Sequence, residues 1–225
     1  MRLSVIIPVY NECATIAELL RQVEEVPIEK EIIVVDDCSA DGSREVLQQV
    51  QSSLVRVFYH ERNQGKGAAV RTGLEQARGE YVIIQDADLE YDPREYPKLL
   101  APLLQGEADV VYGSRFKGEI RQMTLVQRIG NRFLTIVTNV LYGTTLTDME
   151  TCYKVMPRQV LAGIRLRSRA FEFEPEVTAK LLRRGYRIKE IPIRYTARAT
   201  AEGKKISWTH GFPAVWCLIK YRFVD

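Results

Sequence analysis

The sequence predicts an α/β fold, a Rossmann-like doubly wound sheet of mostly parallel strands, as a single domain with a C-terminal amphipathic extension. Three observations predict it. Five short runs rich in β-branched residues, at 3–10, 31–36, 55–59, 81–85 and 109–112, alternate with four stretches of helical character. The runs are continuously apolar, as strands buried on both faces should be. The connections are short and carry Asn, Asp and Gly, and strand–helix alternation of this kind folds as parallel units with right-handed crossovers.

The elements follow in order. Residues 3–10 (LSVIIPVY) read as the first strand, and 15–26 as a helix with Ile16, Leu19, Leu20 and Val23 at helical spacing. Strand 31–36 (EIIVVD), helix 43–50, strand 55–59 and helix 67–77 come next, then strand 81–85 (YVIIQ), helix 95–104 and strand 109–112. The second half is less regular. Residues 126–141 predict a helix with Ile129, Phe133, Ile136, Val137 and Val140 on one face. A strand is expected over 151–157, a helix over 175–184, and a strand over 187–195, where RIKEIPIRY alternates. No linker, repeat or low-complexity tract interrupts the chain. We expect one domain over 1–205, with halves at 1–112 and 113–205, and an extension over 206–225.

Composition narrows the class. The 225 residues are 46% hydrophobic and 27% charged, which excludes disordered and collagen-like chains. Cys13, Cys38, Cys152 and Cys217 form no CxxC pair and make no disulfide framework, so they read as reduced packing residues. The longest charge-free stretches, 133–147 and 206–219, are 15 and 14 residues long, short of the roughly 20 apolar residues a membrane span needs. The N-terminal run is too short for a signal peptide. The net charge of +3 conceals an asymmetry: residues 1–112 carry net −9 and residues 113–225 net +12. One half is suited to a cation, the other to anions or an anionic surface.

In an open parallel sheet, ligands bind beyond the carboxyl ends of the strands. Pro8, Tyr10, Asn11 and Glu12 follow the first strand, Asp36 and Asp37 the second, and Asp86-Ala87-Asp88 with Glu90 the fourth; Gly113, Ser114 and Arg115 follow the fifth. Acidic residues at adjacent strand ends repel one another unless a cation is present. Asp86 and Asp88 on one turn can offer oxygens to a hard divalent ion, Mg²⁺ or Mn²⁺, and the lack of His and Cys argues against zinc. The bland alternatives are a solvated acidic turn for Asp86 and Asp88, helix capping for Asp36 or Asp37, a loop anchor for Asp148, and a solvated helix face for the arginines. Gly65-Lys66-Gly67 opens a helix but lacks the third small residue of a dinucleotide fingerprint. It more simply shapes a helix N-terminus, with Lys66 available to an anion. His60 and His210 receive no role.

VIIPVYNE, VVDDCSADGS, RNQGKGAAVRTGLEQARGEYVIIQDADLE and DVVYGSRF together resemble glycosyltransferase family 2, with its nucleotide-sugar-binding GT-A fold. The second half resembles the polyprenyl-phosphate hexosyltransferase branch, dolichyl-phosphate mannose synthases among them. The matching residues there are Arg128, Asn131-Arg132, Asp148, Cys152-Tyr153-Lys154, Phe171-Glu172-Phe173 and Gly203-Lys204-Lys205. The resemblance implies that Pro8, Tyr10 and Glu12 line the nucleotide pocket, that Asp37 bonds the base edge, and that Asp86 and Ala87 contact ribose and diphosphate. It implies Asp88 as metal ligand together with Asp86 and Glu90, the last standing where relatives often carry Gln. Arg115, Arg132 and Arg128 would face the acceptor phosphate, Asp148 would belong to the catalytic set, and Lys204 or Lys205 would close over the donor.

The expected activity is inverting transfer of a hexose, mannose first, from a nucleotide sugar (GDP-mannose or a UDP-hexose) to a polyprenyl phosphate such as dolichyl or undecaprenyl phosphate. The expected partners include the membrane surface and no nucleic acid. Such a nucleophile is already anionic and needs cationic positioning more than a base, which suits paired arginines. The chain resembles the form with the catalytic domain alone, cytoplasmic and peripheral at the cytoplasmic face of the membrane. Two alternatives stand: a family 2 enzyme using a UDP-sugar and a glycan or other soluble acceptor, and a nucleotide-sugar-binding module without turnover. The tail places Phe212, Trp216 and Phe223, with Trp208, among basic residues. Packing on the domain and contact with a membrane are both open for it, and Pro213 predicts a broken rather than a straight helix.

Overall fold

The computed structural model describes residues 2–169, 172–198 and 211–224. A seven-stranded sheet forms the centre. Its strands are β1 (Leu3–Val9), β2 (Lys30–Asp36), β3 (Val55–Tyr59), β4 (Tyr81–Ile84), β5 (Val110–Ser114), β7 (Lys154–Pro157) and β8 (Ile188–Pro192), and β6 (Ile120–Arg121) and β9 (Tyr195–Thr196) pair separately. The order across the large sheet is β3-β2-β1-β4-β7-β5-β8. All neighbours are parallel except β7, which runs antiparallel to both β4 and β5. The sheet is thus mostly parallel, as the apolar runs predict. The strand expected over 151–157 is the one that joins the two halves.

The helices are α1 (Ile16–Glu25), α2 (Ser43–Gln48), α3 (Lys66–Gln76), α4 (Tyr96–Leu104), α5 (Leu125–Tyr142), α6 (Arg158–Ala162), α7 (Phe173–Arg183) and α8 (Gly211–Phe223). The short elements β6 and α6 were not legible, since two and five residues carry no period to read. In β1 and β2 nearly every side chain is buried, because the sheet is covered on both faces. α3 lies close against β1 where Gly73 faces Ile6: a Cβ there would sit 2.5 Å from the Ile6 Cγ2.

A second, smaller core unites α5, α7 and α8 through Leu134, Met149, Ala179, Ala214, Cys217, Leu218 and Tyr221. Over the described residues of the tail α8 is one helix rather than a broken segment, with Pro213 in the first turn, where no backbone N–H is needed; 206–210 lie outside the described residues. α5 opens with a capping box, Thr124 Oγ1 accepting from the Gln127 N–H while Gln127 bonds back to the Thr124 N–H. Of the apolar face expected on α5, Val137 packs on this small core and the rest is turned away from it. Leu134, Thr135 and Thr138 are buried, whereas Leu125, Val126, Ile129, Phe133, Ile136 and Val140 are exposed. Among the described residues no helix is long and apolar enough to cross a membrane.

Candidate active site

The carboxyl ends of β1, β2 and β4 converge on one rim, and their loops are laced together. The Asn11 N–H donates to Ser39 Oγ (2.9 Å) and Asn11 Oδ1 accepts from the Ala40 N–H (2.8 Å). The Glu12 N–H donates to Ser43 Oγ (2.8 Å), and Thr15 Oγ1 reaches the carbonyl of Ala87 (2.7 Å). Pro8 is half-buried at the end of β1 and Tyr10 is exposed beside it, so the rim keeps one open wall.

The two aspartates after β2 are committed internally. Asp36 accepts from Arg44 Nε at 2.9 Å. Asp37 is buried and takes the His60 Nδ1 (2.7 Å) and the backbone N–H groups of Gln64 (2.9 Å) and Gly65 (2.7 Å). Asp37 therefore shapes the loop leading into α3. A base edge placed against it would compete with three existing bonds. His60, given no role by the sequence, is the strut here, with its other ring nitrogen 3.0 Å from Thr72 Oγ1. The only signal for it was a polar residue directly after a strand.

The Asp86-Ala87-Asp88 turn rests on Gln85, a fully buried side chain. Gln85 Oε1 accepts from the hydroxyls of Tyr96 and Tyr153, both at 2.6 Å, and its amide donates to the Asp86 carbonyl. Asp86 pairs with Lys66 Nζ at 2.7 Å, and Lys66 also holds Glu174 at 2.7 Å. Glu174, at the start of α7, is a site residue the sequence reading missed. Asp88 Oδ1 accepts from the Glu90 N–H. Burial, then the charges of Asp86 and Glu90, push the Asp88 carboxyl up to about 8 from an ordinary 3.8. Glu90 turns toward the strap at 195–198, accepting from the Tyr195 hydroxyl and from the Arg198 N–H at 2.7 Å.

Asp86, Asp88 and Glu90 do not converge as one ligand set: among the described residues no three His, Cys, Asp or Glu side chains do. Asp86 turns to Lys66, and Glu90 to the Tyr195 hydroxyl and the Arg198 N–H. Oxygen ligands on one turn, with one carboxyl whose ionisation its neighbours oppose, fit a hard divalent cation.

On the other side of β7, Arg115 is buried, with its Nε and Nη2 on the two oxygens of Asp148 (both 2.7 Å) and its backbone N–H also on Asp148 (2.9 Å). Its guanidinium lies over the Tyr195 ring, 5.1 Å from the centroid. The fork assigned by resemblance to a phosphate is occupied by Asp148, so Arg115 sits behind the surface rather than at it. Arg128 and Arg132 are exposed on α5, and Arg132 stacks on Phe116, which follows β5. Lys204, with Gly203, Lys205, Phe171 and Trp208, lies outside the described residues.

The model of "Glycosyl transferase family 2" matches residues 4–165. The chain is a family 2 glycosyltransferase. The hexosyltransferase Agl6 of low-salt glycan biosynthesis in Haloferax volcanii is 31% identical over 99% of this chain and 53% of its own length. The undecaprenyl-phosphate 4-deoxy-4-formamido-L-arabinose transferase of Pseudomonas aeruginosa is 34% identical over 89% of this chain and 59% of its own. The family 2 chain thus spans little more than half of each. Among solved structures, glucosyl-3-phosphoglycerate synthase from Mycobacterium tuberculosis, in complex with Mn²⁺, UDP and phosphoglyceric acid, superposes with a TM-score of 0.76 at 19% identity. It covers 100% of this chain and 79% of that one. The shared fold is GT-A.

Proposed function

We propose that this glycosyltransferase moves a hexose, mannose as the first candidate, from a nucleotide sugar to a polyprenyl phosphate at a membrane surface, with inversion and with Mg²⁺ or Mn²⁺. The observation that carries the reading is the surface of α5. At about 100° per residue, Leu125, Ile129, Phe133, Ile136 and Val140 fall within an arc of about 80°, and all are exposed. Arg128 and Arg132 run along one edge of that stripe, and Arg132 leans over Phe116 toward the end of β5. Neither α5 nor α8 contains an acidic residue. α8 adds Phe212, Trp216 and Phe223, exposed, while its other face packs on α5 and α7. One face of the tail thus packs on the domain, and the exposed face supports the other reading, contact with a membrane. An apolar stripe edged by arginines suits a lipid that carries a phosphate, and basic residues add about 1 kcal/mol each near an anionic leaflet.

In this reading Pro8, Tyr10 and Glu12 line the nucleotide, and Asp37 holds the loop that shapes the base pocket. Asp88 with Asp86 would hold the divalent ion, which supplies Lewis-acid stabilisation of the departing nucleoside diphosphate. Glu90 ties the turn to the strap at 195–198, and Lys66 keeps Asp86 oriented. Arg128 and Arg132 take the acceptor phosphate, whose oxygen attacks the anomeric carbon from the face opposite the leaving group. Arg115 and Asp148 fix the floor between the two substrates. No general base is required, because the nucleophile is already ionised. The test is transfer from radiolabelled GDP-mannose and UDP-hexoses to undecaprenyl or dolichyl phosphate in detergent. Organic-extractable label is expected. Label only in a water-soluble glycan or phosphorylated product would overturn the lipid acceptor.

A further inference from the structure

The segment between Asp148 and Cys152 holds a side chain that neither the family motifs nor the mechanism above uses. β7 pairs antiparallel with β4 in the register Tyr81↔Pro157, Val82↔Met156, Ile83↔Val155. The segment before β7 leaves that ladder: residues 149–150 form a turn, and the Lys154 N–H bonds the Cys152 carbonyl. The Cys152 thiol donates to the Ile84 carbonyl at 3.4 Å and lies beside Asp86 and Lys66. Glu150 lies among Glu174, Lys154, Arg115 and Asp148. Glu174 shares Lys66 with Asp86, so Glu150 stands between the Asp86 turn and the Arg115–Asp148 pair.

The charges around it are already spent. Arg115 is paired with Asp148, Lys66 with Asp86 and Glu174, and Lys154 Nζ with the carbonyls of Met149 and Thr151. Glu150 Oε1 is left: among the described residues it is the buried side-chain oxygen without a hydrogen-bond partner. An orphaned carboxylate oxygen costs stability, and a site keeps one where a ligand completes it. Burial, then the charge of Glu174, pushes the Glu150 carboxyl up to about 7 against the opposing pull of Lys154 and Arg115.

We propose that Glu150 is a specificity residue of the donor site, whose carboxylate accepts a hydrogen bond from a hydroxyl of the transferred hexose. This rests on the donor site proposed above. A hydroxyl is the chemistry the position fits: it supplies one donor, needs no further cation, and distinguishes sugars by the placement of one O–H. A site built around such a bond rejects the analogue lacking it, because the polar group is then left unpaired.

The test compares UDP with UDP-glucose, and GDP with GDP-mannose, in Mg²⁺ by isothermal titration calorimetry on the wild type, Glu150→Gln and Glu150→Ala. Circular dichroism and thermal melts confirm folding, and Glu150→Gln keeps the volume if the alanine variant unfolds. Both variants are expected to bind the nucleoside diphosphate as the wild type does. They should lose about tenfold to a hundredfold in affinity for the preferred nucleotide sugar, the worth of one hydrogen bond to a charged group. Equal losses for diphosphate and nucleotide sugar would make Glu150 merely structural, and no loss in either would remove it from the site. A wild type that bound neither UDP nor GDP would instead defeat the donor site itself.

Discussion

Replacing Asp88 with Asn tests the proposed cation site directly, because it can be followed as stability before any substrate is known. Asp88 is crowded by Asp86 and Glu90, and its carboxyl holds its proton up to about pH 8 in the folded protein, against an ordinary 3.8. A raised acid makes the folded state bind more protons than the unfolded one, so stability falls as pH climbs between those two values. Each pH unit carries about 1.4 kcal/mol, which limits the effect of this one carboxyl to roughly 4 kcal/mol between pH 4 and pH 7. At about 2–4 °C per kcal/mol for a chain of this size, that is a fall in Tm of order 10 °C. The assay is a set of metal-free thermal melts from pH 4.5 to 8. Asp88→Asn should remove about half of the slope between pH 4.5 and 7 and nearly all of it above pH 7, the surviving part belonging to Glu150, raised to about 7. Mg²⁺ or Mn²⁺ at a hundred times its Kd should raise wild-type stability at pH 7.5 by about 2.7 kcal/mol and leave the variant unmoved. An unchanged slope in Asp88→Asn, or equal metal stabilisation of both proteins, would refute the reasoning.

The acceptor side and the scaffold give further expectations. Arg132→Ala and Arg128→Ala should raise the KM for lipid phosphate about tenfold to a hundredfold and leave nucleotide-sugar affinity alone, as measured by initial rates at saturating donor. Ile129→Glu with Phe133→Glu should abolish flotation with anionic liposomes while preserving the melting curve, since both side chains are exposed; unchanged flotation would remove α5 from the membrane contact. Asp148→Ala leaves the buried Arg115 guanidinium unpaired and should cost about 3–5 kcal/mol in denaturant titration. Gly118→Ala would put a Cβ 2.0 Å from the Ile193 carbonyl oxygen, and the protein should express poorly or melt well below the wild type.

What the sequence revealed follows from what has a local period. β1 to β5 and their helices were legible because each run is long enough to show its apolar rhythm, and residues 110–112 and 55–59 fall where expected. The strand at 154–157 was legible as a strand, but its antiparallel insertion between β4 and β5 was not, because pairing partners leave no trace in a short apolar run. At the site, Asp86 and Asp88 announced themselves by type and place. Glu150, Gln85 and His60 did not: their meaning lies in which groups surround them, an orphan oxygen, two tyrosine hydroxyls, a buried aspartate. α5 was legible as a helix but not in its orientation, since its apolar spacing looks the same whether the stripe meets a core or faces outward.

The insertion of β7 also dictates an order of assembly. During synthesis, β1 to β4 find one another as soon as they emerge, but β5 has hydrogen-bond neighbours only in β7 and β8, both downstream of it. Until residue 157 has left the ribosome, one edge of β4 stands open, the kind of ladder on which foreign strands dock. Closing it means pairing Ile83 with Val155 across a long loop, and such distant contacts slow folding. The acidic half is therefore not a cassette that can be cut out and grafted. Its last strand joins the sheet only through residues contributed by the basic half.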